Sequence, residues 1–426
     1  MTRILADLLI PGRGAPVRNG CVVLEGDRIA YAGPAASAPA AADSAEAVRV
    51  TCCMPGLWEC HGHFIGMVPA EGTFPVHLPA QVMAARAVKD VEAVLAAGFT
   101  SVREVGGIGC ELARVVDEGI IDGPTIYGAG ALLSTTGGHG DLHHLPHDWV
   151  EWYCEQAGSF THLCDGVPAC LKAVRLQLRR GARLIKVCAS GGVMSQLDDP
   201  VHQQFSGEEL RAIVEEAARA EVVVAAHCHG KPGIMAALKA GCRTIEHGSY
   251  LDEEAAAAMR EADAILVPTR FIVDRLRRVT TGMLPESIRK MQAIADRHAE
   301  AVALAISSGV RIALGTDITT SARKRGGVPW GHNGQELALL VSLGMTPLQA
   351  IEAATATAPD TLGPQAPRSG QLAAGFDADL IAVAASPLED ISVLGRPALI
   401  THVWKRGRLV VSRAATGDGP TFAERS

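Results

Sequence analysis

A barrel of eight parallel βα units, flanked by a small β-sandwich built from both chain ends, is the α/β fold this sequence predicts. Two observations carry it. Between 54 and 360, short apolar runs alternate with amphipathic segments, and eight of those runs read as strands. Outside that stretch, residues 1–53 and 361–426 hold only short β-prone runs. The 426 residues are 48% hydrophobic and 20% charged, ample for a large buried core, and an α/β barrel alone uses about 250 residues.

Each element has its own signal. Residues 21–33 place a Gly26-Asp27 turn between two β-prone runs, a hairpin pattern. The Ala/Pro/Ser-rich segment 34–47 reads as a surface loop. The barrel strands are expected at 56–64, 100–105, 125–130, 184–189, 222–227, 244–247, 265–269 and 312–317. Helical spacing fills 80–97, 169–180, 207–220, 231–240 and 285–308. Gly98, Gly181, Gly241 and Gly309 fall where helices should end. Toward the C-terminus, 379–384 and 400–412 return to strand character, with a turn at 405–408.

Composition excludes several roles. The net charge is -7 and Lys and Arg are dispersed, so no basic stripe suits nucleic acid. Arg323, Lys324 and Arg325 read as a solvated loop. The 11 cysteines are odd in number and follow no secretory leader, because Asp7 and Pro11 interrupt the first apolar run. They read as small buried hydrophobes. No apolar run reaches the roughly 18 residues of a membrane span. The expected compartment is the cytoplasm.

Chemistry gathers at the strand ends. His61 and His63 are two residues apart, so on a strand both imidazoles face one side. Two converging neutral imidazoles suit a Zn²⁺-like ion. Lys186 lies late in the fourth strand, His227 and His229 end the fifth, His247 the sixth and Asp317 the eighth. Alone, each has an ordinary reading: a rim histidine, a snorkelling lysine, a helix-capping aspartate. Together, at the carboxyl ends of one barrel, they predict a metal centre. A buried Lys186 beside cations is driven toward the neutral amine. Such an amine adds CO2 to give a carbamate, an anion with two oxygens able to bridge two metals.

The His61/His63 strand with Lys186, His227, His247 and Asp317 resembles the metal-dependent amidohydrolase superfamily, in its binuclear, carboxylated-lysine subtype. The segments 98–106, 134–141, 185–192, 227–230, 245–252 and 331–337 look like its imidazolonepropionase-like, Xaa-Pro-dipeptidase-like branch. That branch includes metallo-carboxypeptidases and hydrolases of amide-linked mycotoxins such as ochratoxin. The resemblance implies that His61, His63 and Asp317 hold the more buried of two divalent metals, with zinc expected and Mn²⁺ or Co²⁺ also suited. His227 and His247 would hold the other, bridged by carboxylated Lys186 and a water-derived hydroxide. The family's ligand is the first histidine of 227–229, which leaves His229 as a substrate contact; strand geometry does not choose between them.

The reaction so implied is hydrolysis of a peptide-like amide in an N-acyl amino acid or dipeptide, with Asp317 as general base and then acid. His139, His229 and Tyr250 are candidate donors to the developing oxyanion. His139 lies in a Gly-rich loop after the third strand. Arg270 follows the seventh strand and could read a substrate carboxylate or pair with Asp274. His332 and Asn333 could position the base, and 318–333 could form a lid. His143, His144 and His147 fall in a loop that either closes the pocket or is solvated. Trp149, Trp152, Tyr153 and Phe160 would cap the pocket or pack that insert. A small-molecule amide is the expected partner, and a homo-oligomer the expected assembly. Rival readings are a cyclic-amide, carbamate, urea or ester hydrolase on the same centre, a mononuclear deaminase, or a non-catalytic scaffold. Lys186 speaks against the deaminase, and the filled ligand positions against the scaffold.

Overall fold

The computed structural model describes residues 2–40, 47–68, 76, 78–156, 158–279, 283–321, 328–413 and 421–422. The barrel strands are Leu57–Met67, Phe99–Glu104, a third in two pieces (Thr125–Gly128 and Leu132–Ser134), Ile185–Cys188, Val224–Cys228, Thr244–His247, Ile265–Val267 and Arg311–Ile312. Their neighbouring ladders are parallel. The ring closes where Cys60 N donates to Leu314 O at 2.9 Å and Asp317 N to His61 O at 2.7 Å. The chain is a (β/α)8 barrel.

The third strand departs from expectation. Its first piece pairs with the second strand and its second piece with the fourth. The break is at Gly130, whose φ is +71°. A side chain there would meet Gln177 Oε1 at 2.5 Å, so only glycine allows the turn and the approach. The strand Thr161–Leu163, beside Leu132–Ser134, was not expected from sequence.

Helices Ala80–Ala96, Val167–Arg179, Gly207–Ala218, Lys231–Ala240 and Pro285–Ser307 match the periodic segments. Gly98, Gly181, Gly241 and Gly309 all have positive φ beyond helix ends. Ser206 and Glu209 form a capping box that starts Gly207–Ala218. Shorter helices at Gly109–Asp117, His147–Cys154, Glu253–Glu261, Arg270–Leu276, Gln335–Ser342 and Pro347–Ala353 escaped the sequence reading. His147 therefore begins a helix rather than lying in a loop.

Both chain ends enter one eight-stranded sheet. Ala47–Pro55 joins them, running parallel to Thr2–Leu9 and antiparallel to Leu380–Val383. Ile29 N, in the edge strand Arg28–Pro34, donates to Phe376 O at 2.9 Å in the segment that precedes Leu380–Val383. The sheet covers a core of Ile4, Leu9, Val22, Leu24, Leu380 and Trp404. Strands from both chain ends thus share one sheet. The 11 cysteines are free thiols, nearly all buried. Among the described residues no helix is long and apolar enough to cross a membrane. Arg323, Lys324 and Arg325, and residues 41–46 of the expected loop 34–47, lie outside the described residues.

Glu104 gives a pH prediction. It is fully buried, and the Arg180 charge and the backbone at Phe64 and Gly106 only partly oppose that burial. Burial pushes its carboxyl up to about 8. The folded chain then binds this proton more tightly than the unfolded chain, whose ordinary value is 4.5. Its contribution falls as pH rises through that window, by up to about 1.4 kcal/mol per pH unit. Urea denaturation between pH 5 and 8 should show this slope, and Glu104→Gln should flatten it.

Candidate active site

The site is built from the first strand outward. His61 and His63 both face the barrel mouth. His61 Nδ1 lies 2.6 Å from Glu246 Oε2. Glu246 in turn accepts Arg103 Nη2 at 2.6 Å, and Arg103 Nε donates to Cys60 O at 2.6 Å. Arg103 and Glu246 are fully buried in the lumen. Burial alone would raise the Glu246 carboxyl, but Arg103 and His61 outweigh it and hold it below its ordinary range. With Nδ1 committed, His61 presents Nε2 to the cavity. Burial, then the Lys186 ammonium, push His61 down to about 4, so its ring is neutral.

Each further imidazole has one nitrogen tied behind it. His63 Nδ1 donates to Gly106 O at 2.8 Å. His229 Nδ1 lies 2.7 Å from Ser249 Oγ, and His247 Nδ1 2.7 Å from Thr269 Oγ1. His227 Nε2 donates to Gly191 O at 3.2 Å. Such partners fix ring orientation and tautomer, as around metal ligands. Burial pushes His229 down to about 3, and His227 and His247 well below the usual histidine range.

Lys186 Nζ sits 3.4 Å from His61 Nε2. Burial lowers its pKa despite Glu246 nearby, toward the neutral amine. Asp317 Oδ1 lies 3.2 Å from His63 Nε2 and 3.7 Å from His61 Nε2. His63 and His61 outweigh the burial that would raise Asp317, so its carboxyl stays below its ordinary range. Asp317 and His247 have φ of +61° and +69°, and Thr269 has +53°. Non-glycine residues seldom adopt this conformation, and it clusters at functional sites.

A clasp below the site joins the first strand to the eighth. Glu59 Oε1 accepts from His61 N at 2.8 Å and Thr316 N at 3.0 Å. Its other oxygen accepts from Thr316 Oγ1 and Asn333 Nδ2, each at 2.7 Å. Asn333 thus acts beneath the site, while His332 beside it is exposed and 3.1 Å from Gln335 Nε2.

Among the described residues, two groups of donor atoms lie within 4.8 Å of one another: His61, His247 and Asp317; and His227, His229 and His247. Buried neutral imidazoles with a carboxylate suit divalent zinc, so these residues fit a metal. The cavity above them is small, about 80 Å3. Its lining combines the histidines, Lys186 and Asp317 with apolar side chains that include Val193, Met194, Ile272, Leu276, Met291 and Ile294.

The expected substrate contacts divide. His139 lines the cavity, its ring stacked on His227 at 4.3 Å, its Nδ1 2.8 Å from Ser195 Oγ. His229 lines it too. Tyr250 is not a wall residue and packs with Val193, Val273 and Met291 behind it. Thr269 turns left-handed and Arg270 starts a helix; Arg270 is not among the described residues that line the cavity. Its guanidinium donates to Ala295 O at 2.8 Å, and Asp274 pairs with Arg277 and Arg278 instead. His332 is likewise off the cavity wall. So are His143, which accepts from Leu197 N at 3.1 Å, exposed His144, and exposed His147, 3.5 Å from Glu151. Trp149 and Trp152 are exposed, while Tyr153 packs on Phe160. The start of the 318–333 segment is a short strand, Ile318–Thr320, tied to the first barrel strand; 322–327 lie outside the described residues.

Residues 52–410 match the model of the Amidohydrolase family. Ochratoxinase of Aspergillus niger is 45% identical over 429 residues, covering 96% of this chain and 86% of that protein. Its crystal structure superposes with a TM-score of 0.89, covering 96% of this chain and 95% of that one. A Xaa-Pro dipeptidase crystallised with methionine in its active site gives 0.83 at 28% identity, over 96% of this chain and 99% of that one. With this match spanning both barrel and eight-stranded sheet, the chain belongs to the amidohydrolase family.

Proposed function

We propose that this chain is a metal-dependent hydrolase that cleaves an amide bond in a small molecule carrying an apolar group. The observation behind it is the meeting of Asp317 Oδ1 with the Nε2 atoms of His61 and His63, beside Lys186 Nζ, at the cavity floor. His61, His63 and Asp317 would hold one divalent ion and His227 and His247 a second, with Lys186, once carboxylated, as a further ligand. When bound, such ions acidify a water and polarise a carbonyl. Asp317, ionised at neutral pH, accepts the proton of the attacking water. Oxygen then bonds to the amide carbon, and His139 and His229 are placed to donate to the developing oxyanion. Asp317 returns the proton to nitrogen as the C–N bond breaks, releasing a carboxylic acid and an amine.

The cavity wall selects the substrate. Among the described residues Lys186 is the one lysine or arginine that lines the cavity, and much of the lining is apolar. N-acyl amino acids or dipeptides with a large apolar side chain fit this surface. The test is turnover of N-acyl-phenylalanine against N-acyl-aspartate by zinc-loaded protein. The phenylalanine amide should lead in kcat/KM by at least about 10-fold. Failure to hydrolyse any amide would overturn the proposal.

A further inference from the structure

Lys290 lies on helix Pro285–Ser307, away from the strand ends, yet its ammonium is largely buried, the side chain 10% exposed. It reaches across the cavity rim into the loop 190–204. Its Nζ donates to Gly192 O at 3.2 Å, to Ser195 O at 2.9 Å and to Asp198 Oδ1 at 3.2 Å. Asp198 is itself buried, 4% exposed. Its Oδ2 accepts from Gly192 N at 2.8 Å and Gln204 Nε2 at 3.3 Å. Gln204 Oε1 in turn accepts from His139 N at 3.0 Å.

Two cavity imidazoles are oriented by this one loop. Ser195 Oγ holds His139 Nδ1, and Gly191 O holds His227 Nε2. The loop backbone presses on the His139 ring so closely that a Cβ on Gly192 would stand 2.0 Å from Nδ1. The same loop supplies Val193 and Met194 to the cavity wall, and the lysine's helix supplies Met291 and Ile294. One buried cation therefore ties two walls of the cavity together.

We infer that Lys290 is a positioning residue: through Asp198 and the loop 190–204 it sets the orientation of His139 and His227. It does not line the cavity. A buried ion pair is a poor source of net stability, because desolvation offsets the attraction. Its product here is geometry, and a displacement of about 1 Å at reacting groups costs up to about 100-fold in rate.

The inference rests on the proposed hydrolase reading, so the test has one arm that needs turnover and one that does not. In Lys290→Met, kcat should fall about 10- to 100-fold, with KM changed by less than about threefold. Bound zinc and the thermal midpoint should stay near wild type, and Lys290→Arg should recover part of the loss. Ser195→Ala should reproduce the kcat loss, and the two substitutions combined should fall short of additive. The second arm is the visible absorption of the Co²⁺-loaded protein, which should change in Lys290→Met because His227 has turned. If the wild type hydrolyses nothing, the hydrolase reading fails and this arm alone decides. Should Lys290→Met fold poorly with Asp198 left unpaired, Lys290→Met/Asp198→Asn carries the same measurements. Wild-type kcat together with an unaltered Co²⁺ spectrum in a folded, metal-loaded variant overturns the inference.

Discussion

Asp317→Asn should lower kcat by about 1,000-fold while the fold stays intact, because it removes the group that carries the proton from water to leaving amine. The substitution is nearly isosteric. Asparagine tolerates the left-handed backbone at this position, φ +61°, at least as well as aspartate. The bond from the backbone N of residue 317 to His61 O, at 2.7 Å, survives. What disappears is the negative charge 3.2 Å from His63 Nε2. Metal content measured beside kcat separates two causes. Retained metal with lost turnover marks a missing proton carrier; metal lost in proportion marks a missing ligand. Turnover equal to wild type would move the acid–base role elsewhere.

Lys186→Ala should be comparably severe by a different route. The lysine, once carboxylated, is proposed as a further metal ligand, and its amine is already biased toward the neutral form that reacts with CO2. Without it, bound zinc should drop from about two equivalents to one or fewer, and amide hydrolysis should become undetectable. Bicarbonate should raise zinc uptake by the wild type and leave the variant unchanged. Wild-type activity in Lys186→Ala would remove the carbamate from the mechanism.

Local patterns in the sequence anticipated the parts of this molecule that local physics decides. A period of two put His61 and His63 on one face, and helical spacing placed Lys231–Ala240 to the residue. Gly98, Gly181 and Gly309 carried the helix ends because a left-handed residue there is a local demand. Long-range pairing was opaque. Arg103 and Glu246 are 143 residues apart, and Lys290 and Asp198 are 92 apart. No spacing rule links them, because the barrel closure alone brings them together. Arg270 is a related case: adjacency to a strand end says nothing of the turn at Thr269 that follows. Buried polar types in apolar runs (Glu59 before the histidines, Glu246 before His247) were the one available sign of the supporting groups.

The clasp made by Glu59 has a consequence for biosynthesis. Its partners lie 257 and 274 residues downstream, at Thr316 and Asn333. Closing so long a loop is entropically slow and comes late. While the polypeptide is still emerging, the early strand carrying both paired histidines has no eighth strand to close against. Asp317 therefore joins the other donors only after most of the chain has left the ribosome, and a truncated product ending before it would carry an incomplete set.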